Sequence, residues 1–187
     1  WDSCFHAIIW AKLGDHEEQL RTRALQELDA VLAGQLENGM VPHMRYGGAG
    51  PDTWLGPLPG TSSLTHPPMF GHAARVLFEA GIELPETLLA KAKAGLDWLW
   101  ENRRTADGLI YVVHPWEAGN DHSPRWDDWG APCRTREGYY SRTARTAWNK
   151  ERMNEASFAE AGSAAWSTSF VACPAAFNAY TAFNIRE

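Results

Sequence analysis

Between Gly39 and His66 the chain holds six glycines and four prolines, a mixture that neither a helix nor a strand tolerates. Proline removes a backbone N–H, and glycine gives up the most conformational freedom when it is ordered. A second irregular stretch, residues 115–140, is rich in Trp, Pro and Gly. Loops of that length inside a compact domain are usually functional or mobile. Regular structure must therefore come from the segments around them, and chemistry from the loops.

Those segments carry helical periodicity. Phe5, Ile8, Ile9 and Leu13 fall on one face of a first helix ended at Gly14. Asp15 is positioned to cap a second helix, with Glu17 and Glu18 in its favourable first turn. Leu20, Ala24, Leu25, Leu28, Val31, Leu32 and Leu36 follow at 3–4 spacing, and Asn38-Gly39 stops the helix. Pro67-Pro68 starts a third helix, where missing N–H groups cost little. Its stripe is Met69, Phe70, Ala73, Val76, Leu77 and Ala80, and Gly81 ends it. A fourth begins at Pro85 and turns Leu88, Leu89, Ala92, Leu96, Leu99 and Trp100 inward before Asp107-Gly108. The β-branched run 109–113 reads as an extended lead into the second loop. Residues 141–160 read as helical with a weak stripe, and a last helix spans Ala175–Arg186 with Phe177, Tyr180, Phe183 and Ile185. The expectation is an all-α chain: an α/α toroid, helices ringed, with long aromatic-rich loops gathered at one mouth.

Composition narrows the partners. A net charge of −6 offers no basic patch to displace counterions, which argues against nucleic acid. No membrane span or leader is visible, although the chain opens on Trp1 rather than Met. Cys4, Cys133 and Cys173 form no close pair and no metal spacing, which favours reduced thiols and a cytoplasmic setting. His6, His43 and His114 read as structural, and the histidines form no His-x-x-x-His cluster. No catalytic metal and no cofactor are expected. Homo-oligomerisation stays open. Tryptophan is over-used, with ten copies. Trp10 and Trp98 are assigned to the core. Trp1, Trp116 and Trp126 sit among polar, Gly and Pro residues, where stacking on a ligand is the better assignment.

Residues 114–126, His-Pro-Trp-Glu-Ala-Gly-Asn-Asp-His-Ser-Pro-Arg-Trp, set the carboxyl group of Asp121 between Trp116 and Trp126. A carboxyl walled by aromatics is held partly dry, which favours its protonated form. A general acid working near neutral pH needs that form. The aromatic faces also suit the C–H faces of a sugar. An Asp in such company is equally a turn residue that bonds its own backbone. Arg125 is expected to pair with Glu117 or Asp127 rather than with Asp121, and Glu117 reads as an anchor for the loop.

The run from Glu117 to Trp126 resembles the general-acid signature of glycoside hydrolase family 63, nearest its bacterial glucosylglycerate and mannosylglycerate hydrolases. Trehalases of family 37 carry a looser version. Trp1-Asp2-Ser3-Cys4-Phe5-His6 looks like the family's sugar-site helix. Residues 38–46 resemble the turn after its second helix. Residues 61–68 resemble its Thr-Ser-x-x-Thr-Gln-Pro-Pro turn, with His66 in place of Gln. These four ordered segments span residues 1 to about 130.

The resemblance implies an (α/α)6 barrel of about a dozen helices and an inverting hydrolysis of a small α-glycoside such as glucosylglycerate or mannosylglycerate. It implies Asp121 as the acid and a Glu beyond Glu187 as the base. Trp1 and Asp2 match positions that hold the sugar, although Asp2 is also a natural helix N-cap. Trp116 and Gly119 match pocket-lining positions, and Tyr46 one that closes the mouth. His66 contacts the sugar or caps the third helix. Twelve helices of ~12 residues each need roughly twice this chain. Residues 1–187 are therefore expected to form one incomplete toroid domain whose C-terminal part is absent. Trehalase or α-glucosidase activity is a competing reading, as is a carbohydrate-binding relic without the base.

Overall fold

A computed structural model describes residues 1–14, 17–45, 60–121, 123–129 (127–129 as backbone only) and 170–187. Tyr46, Cys133 and the helix expected over 141–160 lie outside the described residues, as does Asp15. Among the described residues the regular structure is helical: α1 Asp2–Leu13, α2 Glu18–Leu32, α3 Phe70–Glu79, α4 Glu86–Asn102 and α5 Ala175–Arg186. Among the described residues, strand-like pairing is confined to isolated bridges. None of these helices is long and apolar enough to cross a membrane.

The four helices α1–α4 share one core, and the face each turns inward reveals how they pack. In α2, Ala24, Leu28 and Leu32 repeat every four residues and are buried. In α3 the buried set is Phe70, Ala73, Ala74, Val76 and Leu77, close to the expected stripe. Helix α1 differs from expectation. It buries Cys4, Ala7 and Ala11 and leaves Phe5, Ile9 and Leu13 exposed. Apolar residues surround α1 almost completely, so periodicity cannot select a face. The small ones win because they let the α1 backbone approach α2 and α3. Helix α4 buries Leu88, Ala92, Gly95, Trp98 and Leu99, while Leu89 and Trp100, expected inward, are exposed. The Arg104 guanidinium lies 4.3 Å from the Trp100 ring centre and covers it.

Helix α5 spans the expected residues and buries Phe177 but leaves Phe183 and Ile185 exposed. Two asparagines dock it. The amide of Asn178 accepts from Ile110 N at 2.7 Å and donates to the Ile110 carbonyl at 2.8 Å, as a strand neighbour would. Asn184 accepts from His72 N at 2.7 Å, against Gly71, where an added Cβ would meet Asn184 O at 2.8 Å.

Residues 110–113 are extended and fully buried. Single antiparallel bridges join Arg104 to Ile110 and Val112 to Ala172. Two backbone bonds join residues 43–44 to 62–64: His43 N donates to Leu64 O at 2.8 Å and Ser62 N to Met44 O at 3.0 Å. From there residues 62–70 are buried without a break. This buried turn, the extended run and the N-terminus of α1 bring the sequence motifs together.

Candidate active site

The centre of the arrangement is a carboxylate that the solvent does not touch. Glu117 sits in a 3-10 turn, Pro115–Ala118, and is fully buried. Arg103 reaches it with both arms, Nη1 at 3.0 Å and Nη2 at 3.1 Å. Thr65 N donates to one carboxylate oxygen at 3.1 Å and Val113 N to the other at 2.7 Å. A buried charge is tolerable only when it is paired and its lone pairs are used. Here both conditions hold. Glu117 is the anchor that the sequence suggests, but its partner is Arg103, not Arg125. The Arg125 guanidinium instead donates to Ser123 Oγ at 3.1 Å and lies over Trp126. Arg103 was not legible as a site residue. Its only signal was its place at the end of α4, among many other arginines.

The turn leaves this anchor through Gly119, whose φ of 67° is left-handed. A Cβ there would lie 2.7 Å from Trp1 Cζ2 and 3.3 Å from Pro67 Cγ. Glycine is required both for the backbone angle and for the contact. So Trp1, Pro67 and Gly119, from three separate sequence segments, meet. The half-buried indole of Trp1 also packs edge-on to Phe5, with centroids 5.4 Å apart. Trp1 occupies the N-cap position of α1, so Asp2 is not the cap: it is exposed in the first helical turn.

Two histidines, His43 and His66, line the same neighbourhood. His66 is buried, and its Nδ1–H donates to the Pro67 carbonyl at 2.8 Å. It does not cap α3, which begins after Met69 without a side-chain cap. Ser62 donates its hydroxyl hydrogen to Leu64 O at 3.2 Å, so its oxygen accepts from His43 Nδ1–H at 2.7 Å. Both rings therefore carry the hydrogen on Nδ1 and present Nε2 as an acceptor. Burial pushes His43 down to about 4 and His66 to about 3, so both stay neutral across the physiological range. His43, read as structural, has its ring centroid 5.8 Å from that of Trp116. The Trp116 indole is half-buried, with its backbone N–H given to His114 Nδ1 at 3.1 Å.

The surroundings of Asp121 depart from the sequence reading. Its side chain is exposed rather than held in a dry aromatic niche. The reason is Trp126, which is 3% exposed and turns into the core against Phe170. Its indole N–H donates to Asn120 O at 2.6 Å, so it fixes the backbone beside Asp121 instead of walling the carboxyl. Asp121 still belongs to the same corner. Two residues past Gly119, its Cα lies within about 7.6 Å of the glycine's, since consecutive Cα atoms are ~3.8 Å apart. Among the described residues no group of three His, Cys, Asp or Glu side chains could hold a metal ion.

Indole faces around a glycine, neutral acceptors and a reachable carboxyl are what a sugar site is made from. The mannosylglycerate hydrolase MGH1-like glycoside hydrolase domain matches residues 1–187. The chain belongs to this family. A mannosylglycerate hydrolase of Thermus thermophilus is 36% identical over 146 residues, covering 68% of this chain and 33% of that protein. A glucosylglycerate hydrolase of Mycolicibacterium hassiacum is 33% identical with the same coverage of each. The chain thus spans about a third of the length of these curated family members. The crystal structure of a Thermus thermophilus mannosylglycerate hydrolase in complex with glucose aligns with all of this chain and 48% of its own, at TM-score 0.66 and 28% identity. The complex of that hydrolase with Tris and D-glycerate aligns over 68% of this chain and 32% of its own, at TM-score 0.55 and 34% identity.

Proposed function

We propose that residues 1–187 are part of a single α/α-toroid domain that hydrolyses a small α-glycoside with inversion. A hexosyl glycerate, glucosylglycerate or mannosylglycerate, is the substrate this reading assigns, because relatives bearing those names share the family. The observation that carries the reading is the convergence of Trp1, Pro67 and Gly119 beside the loop of Asp121. Trp1 and Trp116 offer their faces to the sugar. Asp2, and the Nε2 atoms of His66 and His43, accept its hydroxyls, and Gly119 lets the backbone approach. Tyr46, outside the described residues, is assigned to the mouth.

Inverting hydrolysis needs a protonated acid and an ionised base standing ~6.5–9.5 Å apart, so that a water fits between base and sugar. Asp121 takes the role of acid and protonates the departing glycosidic oxygen. No base is assigned among the described residues. Glu117 is not a candidate, because all its lone-pair directions are spent on Arg103, Thr65 and Val113.

The exposure of Asp121 favours a second reading, a carbohydrate-binding module without catalysis. Time-resolved proton NMR of the full-length polypeptide acting on mannosylglycerate separates the two. A newly formed sugar of inverted anomeric configuration is expected. Retention of configuration removes the inverting mechanism, and sugar binding without turnover selects the binding module.

A further inference from the structure

Arg103 and Glu117 are built more rigidly than a folding strut requires. An ion pair this deeply buried stabilises little over a well-packed apolar pair, because desolvation offsets the attraction. What it supplies is geometry. The two carboxylate oxygens of Glu117 each fix a different segment: one takes Thr65 N of the buried 62–70 turn, the other Val113 N of the extended run. The guanidinium cannot shift to follow them. It is held over Trp98 at 5.2 Å and Tyr111 at 5.6 Å, and both arms are engaged. Arg103 Nε is buried without a partner among the described residues, a cost accepted to keep that pose. Glu117 is two residues before the left-handed Gly119 and four before Asp121.

We propose that the Arg103–Glu117 pair is the positioning element of the site, locking the loop that carries Asp121 to the turn that carries His66 and Pro67. Both walls of the sugar corner then keep one fixed separation, and the acid is delivered to the glycosidic oxygen rather than near it. The inference rests on the assignment of Asp121 as the acid. A misplacement of about 1 Å in such a group costs on the order of 10²-fold in rate.

The test compares two substrates of the full-length polypeptide: the hexosyl glycerate, whose alkoxide must be protonated, and the α-glycosyl fluoride of the same sugar, whose fluoride departs without help. Arg103→Lys keeps the charge but loses the two-armed grip, and Glu117→Gln turns one of the two acceptor oxygens into a donor, losing two of the four accepted bonds. Asp121→Asn is measured beside them. For each variant we expect a loss of about 10²-fold or more in kcat on the glycerate glycoside and a far smaller loss in kcat on the fluoride. A strut that only supports folding would lower both activities alike. If Asp121→Asn is selective for the poor leaving group but Arg103→Lys and Glu117→Gln are not, the positioning role is wrong and the acid assignment survives. If Asp121→Asn shows no selectivity, both fall. Should Glu117→Gln fail to fold, Arg103→Lys alone decides.

Discussion

Glu117 and Asp121 lie four residues apart in one loop, yet one is sealed and the other exposed. Every oxygen of Glu117 is answered by a donor from elsewhere in the chain. Asp121 stays accessible, at the end of a turn fixed by Gly119 and by the indole of Trp126. A carboxylate compensated on all sides can hold backbone in place but has nothing left to offer a substrate. A reachable one can take part in proton transfer, provided a ligand or further chain dries its surroundings. Burial here marks the support, and exposure marks the candidate for chemistry.

Breaking the contrast on the catalytic side should give the largest effect. Asp121→Asn in the full-length polypeptide is expected to lower turnover of mannosylglycerate by roughly 10²–10⁴-fold, the range of general acid–base groups. Titration calorimetry with glucose should show affinity within a few-fold of the parent. Undiminished turnover would remove Asp121 from the mechanism.

On the structural side, Glu117→Ala strands Arg103 and two backbone N–H groups. Loss of one partner of a buried pair costs about 3–5 kcal/mol. Asp121→Ala, at an exposed position, should stay within about 0.5 kcal/mol. Urea unfolding of the two variants measures the difference directly, and similar midpoints would erase the distinction drawn here.

Acid should sharpen it next. His43 and His66 take up protons near pH 6.5 when unfolded, but only near 4 and 3 when folded. The unfolded chain therefore binds more protons across that interval, and stability falls as pH drops from about 6.5. The cost reaches about 3 kcal/mol per imidazole by pH 4. His66→Gln should abolish its share and flatten the curve of denaturation midpoint against pH. An unchanged curve would mean that His66 is hydrated in the folded state.

The smallest expected effect is at the hinge between the two carboxylates. Gly119→Ala imposes a left-handed angle on a residue with a Cβ, costing roughly 1–2 kcal/mol, and pushes against the Trp1 ring. Weaker binding of glucose, read by quenching of tryptophan fluorescence, should accompany the loss. Unaltered affinity would detach Trp1 from the sugar corner.

The starts of α3 and α4 and the end of α3 were readable because proline and glycine write them locally, and α5 matches the expected span, whereas α4 stops at Asn102, well before Asp107-Gly108. Glu117 as anchor was readable from its motif. The buried face of α1 was not, since apolar residues surround that helix and only its neighbours choose among them. Trp126 was misread for a related reason. Its polar surroundings in the sequence give no sign that Phe170, far along the chain, receives its ring.

By itself the sequence determined the helices, the loops that interrupt them, the membership of the family and the motif that carries Asp121. These are set by backbone preferences and by residue spacing, which act over a few positions. Tertiary structure alone decided that Arg103 answers Glu117, that Thr65 is tied to it across 52 positions, and that Trp1 rests on Gly119. Such pairings depend on which distant segments share the low-dielectric interior, where an unanswered charge or N–H is costly enough to select its partner.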